Sequence, residues 1–280
     1  MRIQVGDVRL FFDVEGTKLR PEGSAMREVP TLLLLHGGPG FDHSGFKPDM
    51  AQLADIAQVV YLDHRASGRS DRGSVGRWKL DQWADDIRLF CDALDIRQPI
   101  VMGQSFGGCV AMEYAIRHPH HPSKLIVSSA LVRPIGGRSF ATFERLGGAV
   151  AREAAMAFWK NPGPDTRKDY FTHCMPLYTR RAMPPEFFSR SVRNPDVADS
   201  FFGGELKTLD LLPHLLRIKC PTLVTGGEDD PVTTINDAED IAAAIPSNLV
   251  RFERFPNAGH GVYRDQPEEF FKVLQEFIAS

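Results

Sequence analysis

The sequence predicts a doubly wound α/β domain with a helical insertion, and three observations lead to this prediction. Strand-like runs alternate with helical patterns along most of the 280 residues, which is typical of a mostly parallel sheet with helices on both faces. Two of the runs, Thr31–Leu35 and Gln58–Leu62, are apolar on both faces, as buried parallel strands are. The alternation is interrupted once, between residues 133 and 213, where no strand-like run occurs.

The predicted elements follow one another in a regular series. Strands are expected at residues 8–14, 31–35, 58–62, 99–102, 124–127, 221–225 and 249–255. An amphipathic helix is predicted by apolar residues at spacings of three and four, namely Leu80, Trp83, Ile87, Phe90, Cys91 and Leu94. Thr234 with Asp237 predicts the start of another helix. Asp265 and Glu268 predict a capping box before the last helix, with Pro267 in its first turn.

The interruption predicts a helical cap inserted into the sheet domain. Its helical patterns, at residues 143–159 and 169–178, are separated by proline-rich and glycine-rich segments. Such an insertion is expected to lie over the carboxyl ends of the strands, where α/β folds bind ligands. The predicted organisation is therefore a core at 1–132, a cap at 133–213 and the rest of the core at 214–280. The alternative is a surface excursion unrelated to catalysis.

Composition argues against several classes of function. The 33 Lys and Arg residues nearly balance the 36 Asp and Glu residues, and no block of five like charges occurs, so nucleic-acid binding is not expected. No apolar run approaches the roughly 18 residues that span a bilayer, and the first residues alternate like a strand, so neither a membrane anchor nor a signal peptide is expected. The four cysteines are scattered without metal-ligand spacing, which predicts free thiols in the cytoplasm.

The most informative segment is Gly103-Gln104-Ser105-Phe106-Gly107, where an apolar strand runs into a helical pattern. A serine at such a corner is held in a strained turn with its hydroxyl pushed out of the sheet, which is the geometry of a nucleophile elbow. Ser105 is therefore the candidate nucleophile. Cys109, four residues further on, is expected to serve in packing, because a buried free cysteine behaves as a small hydrophobe.

A serine hydroxyl needs a base, and the base needs a group that orients it. His260 follows the last predicted strand and is the only one of the nine histidines placed there. Asp230 lies in the turn after the preceding strand, directly before Pro231, and Asp229 is the alternative acid. The order Ser, Asp, His along the chain is that of the α/β-hydrolases and differs from the two other common orders.

A glycine-rich segment, His36-Gly37-Gly38-Pro39-Gly40, follows the first buried strand. Its glycines allow amide groups to approach a substrate closely, as an oxyanion hole requires. The predicted donors are the amides of Gly38 and Phe106, and Gly37 is expected to contact substrate. A phosphate-binding loop is the alternative, but neither the G-x-G-x-x-G spacing nor a Gly-Lys-Ser/Thr ending is present.

These motifs, together with residues 63–70 and the turn at 227–230, resemble the proline iminopeptidase branch of the α/β-hydrolases, peptidase family S33. The resemblance spans most of both halves of the sheet and is weak in the cap. It implies the α/β-hydrolase fold and a serine hydrolase without a cofactor. In such an enzyme Ser105 is acylated, His260 carries the proton, Asp230 orients His260 and water releases the acyl group.

The chain departs from this family on the substrate side. Members that remove an N-terminal residue hold the substrate's ammonium with carboxylates, and in part of the family one of these directly follows the catalytic aspartate, where this chain has Pro231. The cap carries 12 Lys and Arg against 9 Asp and Glu. Glu205 is the cap acid nominated for an ammonium, although a solvated charge at a helix start is the alternative. Trp159 and Phe202 are nominated to line an apolar pocket.

Seven cap aromatics could line such a pocket, although most are expected to pack within the cap: Phe143, Phe158, Trp159, Phe187, Phe188, Phe201 and Phe202. Asp63 and Arg65 are expected to form a structural ion pair beneath the site.

Three functional hypotheses follow from the sequence. The first is a serine hydrolase, such as a carboxylesterase or lactonase, that splits an ester or amide of a small, partly apolar substrate. The second is a true prolyl aminopeptidase that releases N-terminal proline. The third, from another class, is a ligand-binding protein that keeps the fold without catalysis. The expected partner is a small molecule or a short peptide, and a homo-oligomer is left open.

Overall fold

A computed structural model describes all 280 residues. Its strands are β1 Arg2–Val5, β2 Val8–Glu15, β3 Leu19–Glu22, β4 Ala25–Glu28, β5 Thr31–Leu35, β6 Gln58–Leu62, β7 Ile100–Gln104, β8 Lys124–Ser128, β9 Thr222–Gly227 and β10 Val250–Phe255. Eight of them form one sheet in the order β1-β2-β6-β5-β7-β8-β9-β10. Strand β2 pairs antiparallel with β1 and β6, and all other neighbours in the sheet are parallel.

The order of the strands in the sheet reverses at β5, and this reversal indicates where a ligand would bind. Strand β5 pairs with β6 on one side and with β7 on the other. The loops that leave β5 and β7 therefore open at the position where the order reverses, which is where open α/β sheets bind ligands. The predicted glycine-rich segment and the predicted serine elbow are these two loops.

The helices are α1 Leu80–Ala93, α2 Phe106–Arg117, α3 Gly137–Lys160, α4 Pro164–His173, α5 Glu186–Ser189, α6 Pro195–Gly203, α7 Ile235–Ala244, α8 Val262–Asp265 and α9 Pro267–Ala279. Strand β5 is buried on both faces because helices cover both sides of the sheet. Its Leu33 belongs to the same hydrophobic cluster as Trp83 of α1, whereas Leu34 belongs to the cluster that contains Phe270 of α9. None of the helices combines the length and apolar character needed to cross a membrane.

The predicted α/β class is confirmed, with two local differences. The hairpin of β3 and β4 was not predicted, because its strands are almost entirely exposed and carry no apolar alternation. The capping box predicted at the last helix is wrong. Helix α9 begins at Pro267 with Gln266 at the cap position and no capping side chain, and the Asp265 carboxylate is used elsewhere. Helix α7 begins as predicted, with the Thr234 amide donating to Asp237 Oδ2 at 2.9 Å.

Helices α3 to α6 lie between β8 and β9, and the chain forms no strand there. Helix α3 is kinked at Gly148, whose φ is 72°. A small hydrophobic cluster joins α3 to α4 and includes Phe143 and Tyr170, and it extends to Val232 of the sheet domain. Because Val232 lies two residues beyond Asp230, the packing of the helical insertion reaches the predicted acid.

Candidate active site

The turn that carries Ser105 has the conformation of a nucleophile elbow. Ser105 joins β7 to α2 with φ 57° and ψ −122°, a strained backbone for a residue with a side chain. The flanking glycines are required by close packing. A Cβ at Gly107 would clash with the carbonyl oxygen of Leu35, and a Cβ at Gly103 would clash with the backbone of Gly107. The elbow is also fixed to the next strand, since the Ser105 amide donates to the Ser128 carbonyl at 3.0 Å.

His260 and Asp230 form a buried hydrogen-bonded pair. The distance from His260 Nδ1 to Asp230 Oδ2 is 2.8 Å, and the two residues are 7% and 0% exposed. An ionised carboxylate only accepts, so Nδ1 carries the hydrogen and Nε2 is left free to act as a base. Asp230 also accepts from the amides of Val232 and Thr233, at 2.8 and 3.0 Å, and from Thr233 Oγ1 at 2.6 Å.

The structure brings the serine and the histidine to the same cavity. Ser105 and His260 both line it, and the elbow touches the histidine loop directly because Gln104 Nε2 donates to the His260 carbonyl at 3.2 Å. No hydrogen bond joins Ser105 Oγ to the imidazole. Contacts of this kind commonly tighten only when substrate is bound.

Two amides beside Ser105 are available to a substrate. The Gly38 amide donates to no group of the protein, and Phe106 is the first residue of α2, where an amide has no partner within the helix. The neighbouring Gly40 amide is engaged by Ser67 Oγ at 3.2 Å. Gly37 lies directly against the nucleophile, since a Cβ there would approach Ser105 Cβ to 3.1 Å. The geometry suits an oxyanion hole of Gly38 and Phe106.

A second buried carboxylate, Asp265, holds the histidine loop against the helical insertion. Asp265 Oδ2 accepts from the Gly259 amide at 2.8 Å, and Oδ1 accepts from the amides of Arg180 and Arg181 at 2.9 and 3.1 Å. The His260 amide donates to the carbonyl of Tyr178 at 2.6 Å. Segment 178–181 therefore supports the backbone that leads into His260, directly at the His260 amide and through Asp265 at the Gly259 amide.

Replacing Asp265 with asparagine is expected to lower kcat about 10- to 100-fold with a smaller change in KM, because small displacements of a catalytic group cost that much. Asparagine can place only one acceptor oxygen where the carboxylate uses two. Steady-state kinetics on a chromogenic ester, with thermal unfolding measured in parallel, tests this. The matched control is Glu268→Gln, which removes an exposed acid that makes no hydrogen bond. A wild-type kcat in a folded Asp265→Asn enzyme would contradict the assigned role.

The other candidate acids of the sequence have different partners. Asp229 binds Arg145 of α3 at 2.8 Å and so ties the turn to the helical insertion. The predicted ion pair of Asp63 with Arg65 is wrong. Asp63 accepts from His43 Nδ1 at 2.7 Å, whereas the Arg65 guanidinium makes two hydrogen bonds, of 2.7 and 2.8 Å, to Asp86. Each of the two side chains is therefore engaged by a different partner.

The assignment of Glu205 to substrate binding is also wrong. Glu205 does not line the cavity. Its Oε2 accepts from the amide of Leu80, the first residue of α1, at 2.9 Å, where the partial positive charge of a helix N-terminus favours a carboxylate. Burial raises the pKa of Glu205. The nominated carboxylate is therefore used to cap a helix of the sheet domain.

The cavity beneath the helical insertion has a volume of about 570 Å³ and is lined by many aromatic side chains. Six of the seven candidate aromatics line it, namely Phe158, Trp159, Phe187, Phe188, Phe201 and Phe202. The exception is Phe143, which is completely buried within the insertion. Cys109 borders the cavity too, but its Sγ donates to the Leu131 carbonyl at 3.2 Å and burial raises its pKa to about 12, in keeping with a packing role.

The cavity offers no uncommitted carboxylate. Asp42 is the only acid that lines it, and Asp42 Oδ2 accepts from Arg69 Nη1 at 2.7 Å and from the Val192 amide at 3.1 Å. A positively charged substrate group would have to compete with Arg69 for this carboxylate.

Three residues that support the site were not assigned to it from the sequence. Thr233 binds Asp230, Tyr178 meets the His260 imidazole edge to face at a centroid distance of 5.2 Å, and Asp265 holds Gly259. A hydroxyl within the Asp230 turn and an acid five residues after His260 were the available signals. Tyr178 carries no local signal, because its contact joins segments 82 residues apart.

Serine hydrolases react through an acyl-enzyme, and they combine a serine elbow with an oriented imidazole and free amide groups. The fold and the site described above define this class of enzyme. A family model described as the alpha/beta hydrolase fold matches residues 30–267. The chain therefore belongs to the α/β-hydrolase fold family, as the resemblance predicted.

The relatives include enzymes of differing names. The proline iminopeptidase of Thermoplasma volcanium is 26% identical, with a match that covers 91% of this chain and 90% of that protein. A putative carbamate hydrolase of a Caulobacter species is 25% identical over 95% of this chain and 97% of its own length. The crystal structure of the proline iminopeptidase of Mycobacterium smegmatis superposes with a TM-score of 0.79 at 24% identity, covering 100% of this chain and 97% of that one.

Proposed function

We propose that this enzyme hydrolyses an ester or amide bond of a small, partly apolar substrate through an acyl-enzyme on Ser105. The observation that carries the proposal is the buried pair of His260 and Asp230, bonded at 2.8 Å and bordering the same cavity as the serine elbow. The aromatic lining supports a partly apolar substrate, because such surface is favourably removed from water in a pocket of this kind.

The proposed reaction begins when His260 Nε2 takes the proton of the Ser105 hydroxyl and Oγ attacks the substrate carbonyl carbon. The amides of Gly38 and Phe106 stabilise the resulting oxyanion, while the Asp230 carboxylate stabilises the imidazolium. His260 then gives its proton to the leaving alcohol or amine, which departs and leaves an acyl-enzyme. Water, activated by the same imidazole, attacks the acyl carbon, and the acid product and free Ser105 are released.

The charges of the site favour an ester, a lactone or an uncharged amide over an N-terminal proline peptide. The one lining carboxylate, Asp42, is bound to Arg69. Glu205 does not line the cavity and binds the Leu80 amide instead, and Pro231 stands where an acid would follow Asp230. An ammonium in this cavity would be left without a counter-charge, which is costly in a partly desolvated site. The prolyl aminopeptidase is therefore the second candidate, supported by the named relatives alone.

A panel of p-nitrophenyl acyl esters of increasing chain length, assayed beside proline p-nitroanilide, tests the proposal. We expect turnover of at least one ester with kcat/KM more than about 100-fold above that of the anilide, in view of the cost of an unpaired ammonium. Faster turnover of the anilide would support the aminopeptidase instead. No turnover of either, with ligands still bound, would support a binding protein without catalysis.

A location in the cytoplasm belongs to the same proposal. All four cysteines are buried and unpaired, as is usual for proteins kept in a reducing compartment.

A further inference from the structure

The cavity contains an arginine that has no carboxylate partner. Arg264 of α8 lines the cavity, is only partly exposed, and forms no salt bridge within 4.0 Å. Its guanidinium lies 4.4 Å from the ring centre of Phe187 and 4.5 Å from that of Tyr263. One nitrogen, Nη2, donates to the carbonyl of Gly45 at 2.7 Å. The two aromatic faces and this single hydrogen bond hold the guanidinium in place and leave most of its N–H groups uncommitted.

Arg264 lies next to the loop that carries the catalytic histidine. Its Nη1 is 3.2 Å from the position that a Cβ of Gly261 would occupy, and Gly261 directly follows His260. The cation is therefore close to the atoms at which an acyl group would be transferred.

The remaining charges of the lining do not neutralise Arg264. Arg167 is paired with Asp199, and Asp42 is paired with Arg69. Burial raises the pKa of Asp49, and the nearby charge of Arg264 opposes this rise. The two side chains nevertheless form no ion pair, and Asp49 does not line the cavity.

A second cation without a carboxylate partner, Arg193, also lines the cavity. Arg193 is exposed. The amide of its neighbour Asn194 donates to the carbonyl of Gly40 at 2.7 Å, so Arg193 stands beside the glycine-rich segment. The lining thus includes two arginines that no carboxylate neutralises.

We propose that the substrate of this enzyme carries a carboxylate, which binds the Arg264 guanidinium while the neighbouring ester or amide bond is cleaved at Ser105. The inference rests on the proposed function and specifies its substrate class, the half-esters and half-amides of organic diacids and the esters of hydroxy acids. A partly desolvated guanidinium with free donors in a fixed fork is well suited to a planar carboxylate. The same arginines repel the ammonium of an aminoacyl substrate.

Matched pairs of rigid substrates test the inference at both ends of the scissile bond. The acyl side is tested with the mono-p-nitrophenyl ester of terephthalic acid against its terephthalamide analogue. The leaving side is tested with 4-acetoxybenzoate against 4-acetoxybenzamide. The para arrangement prevents attack by the substrate's own carboxylate, and each rate is divided by the spontaneous rate of hydrolysis. In at least one pair we expect kcat/KM to favour the carboxylate about 10- to 100-fold, as a charge-assisted contact predicts.

Substitutions of single arginines test which residue causes the preference for the carboxylate substrate. Arg264→Gln is expected to bring the carboxylate-to-amide ratio of kcat/KM close to one, and Arg264→Lys to restore part of it, because lysine keeps the charge without the fork. The matched control is Arg254→Gln, which removes an arginine that pairs with Glu228 and Glu239 away from the cavity and should keep the wild-type ratio. If Arg264→Gln does not fold, two other measurements test the inference. They are the carboxylate-to-amide ratio of kcat/KM in Arg193→Gln and the decrease of the wild-type ratio at high salt.

The outcomes separate this inference from the proposed function. A wild-type ratio near one in both pairs, or an unchanged ratio in folded Arg264→Gln, overturns the carboxylate assignment while turnover of the neutral substrates still supports the hydrolase. Failure of the enzyme to cleave any substrate of either pair or of the ester panel overturns the proposed function itself.

Discussion

Replacing Ser105 with alanine is expected to lower kcat by about 10⁶-fold on the best ester of the panel, because the members of a nucleophilic triad act as a unit. The hydroxyl is held on a strained elbow at φ 57° and would form the covalent bond of the proposed acyl-enzyme, so we expect no neighbouring group to replace it. Steady-state and burst kinetics measure the loss, and the burst of p-nitrophenol should vanish with it.

Ser129 provides a matched control for this variant. It also follows a strand with a positive φ, of 47°, and its buried hydroxyl has no hydrogen-bond partner, but it does not line the cavity. Ser129→Ala should therefore retain wild-type kinetics. Activity in Ser105→Ala within tenfold of wild type would show that another residue performs the attack.

Asp230→Asn is expected to lower kcat by about 10⁴-fold, the size of the effect when an asparagine replaces the acid of a triad. The Asp230 carboxylate accepts four hydrogen bonds, among them that of His260 Nδ1. An asparagine that turns its amide toward the imidazole donates to Nδ1, which moves the hydrogen to Nε2 and removes the base. The kcat of the variant, measured with its thermal unfolding temperature, tests this.

The neighbouring acid supplies the control. Asp229→Asn removes only a partly exposed ion pair with Arg145, worth about 1 kcal/mol or less, so kcat should change by no more than a few fold. If Asp229→Asn were the inactive variant and Asp230→Asn the active one, the assignment of the two acids would be reversed.

Much of the fold was predictable because its signals are local. Continuous apolar runs such as Thr31–Leu35 indicate strands buried on both faces, and the structure buries every residue of that strand. The serine elbow was predictable for a related reason. Its glycines are required by the close approach of β5 and α2, so this packing can be recognised in the sequence from glycines at a fixed spacing around the serine.

Long-range pairing limited the rest of the prediction. Glu205 binds an amide 125 residues away, and nothing near it in the sequence distinguishes a helix-capping acid from an ammonium-binding one. Asp265 has the local pattern of a capping box with Glu268, but three amides of the histidine loop and of segment 178–181 compete for its carboxylate and prevail. In both cases tertiary contacts decided the partner.

The aromatic residues of the helical insertion both pack and line the cavity. Most were expected to pack within the cap, and four of the seven, Phe143, Phe158, Trp159 and Phe202, belong to the buried cluster there or pack against it. Side chains such as Trp159 and Phe202 pack against that cluster and also line the cavity. Amphipathic spacing alone does not distinguish these two surroundings.

Ser105, and no other residue, is expected to be an activated nucleophile. The decisive measurement is reaction with a fluorophosphonate, followed by peptide mapping with mass spectrometry. We expect one equivalent of label on Ser105, with a rate that falls at least about 100-fold in His260→Ala, since general-base catalysis contributes that much. Label on another residue, or none on the folded protein, would contradict this expectation.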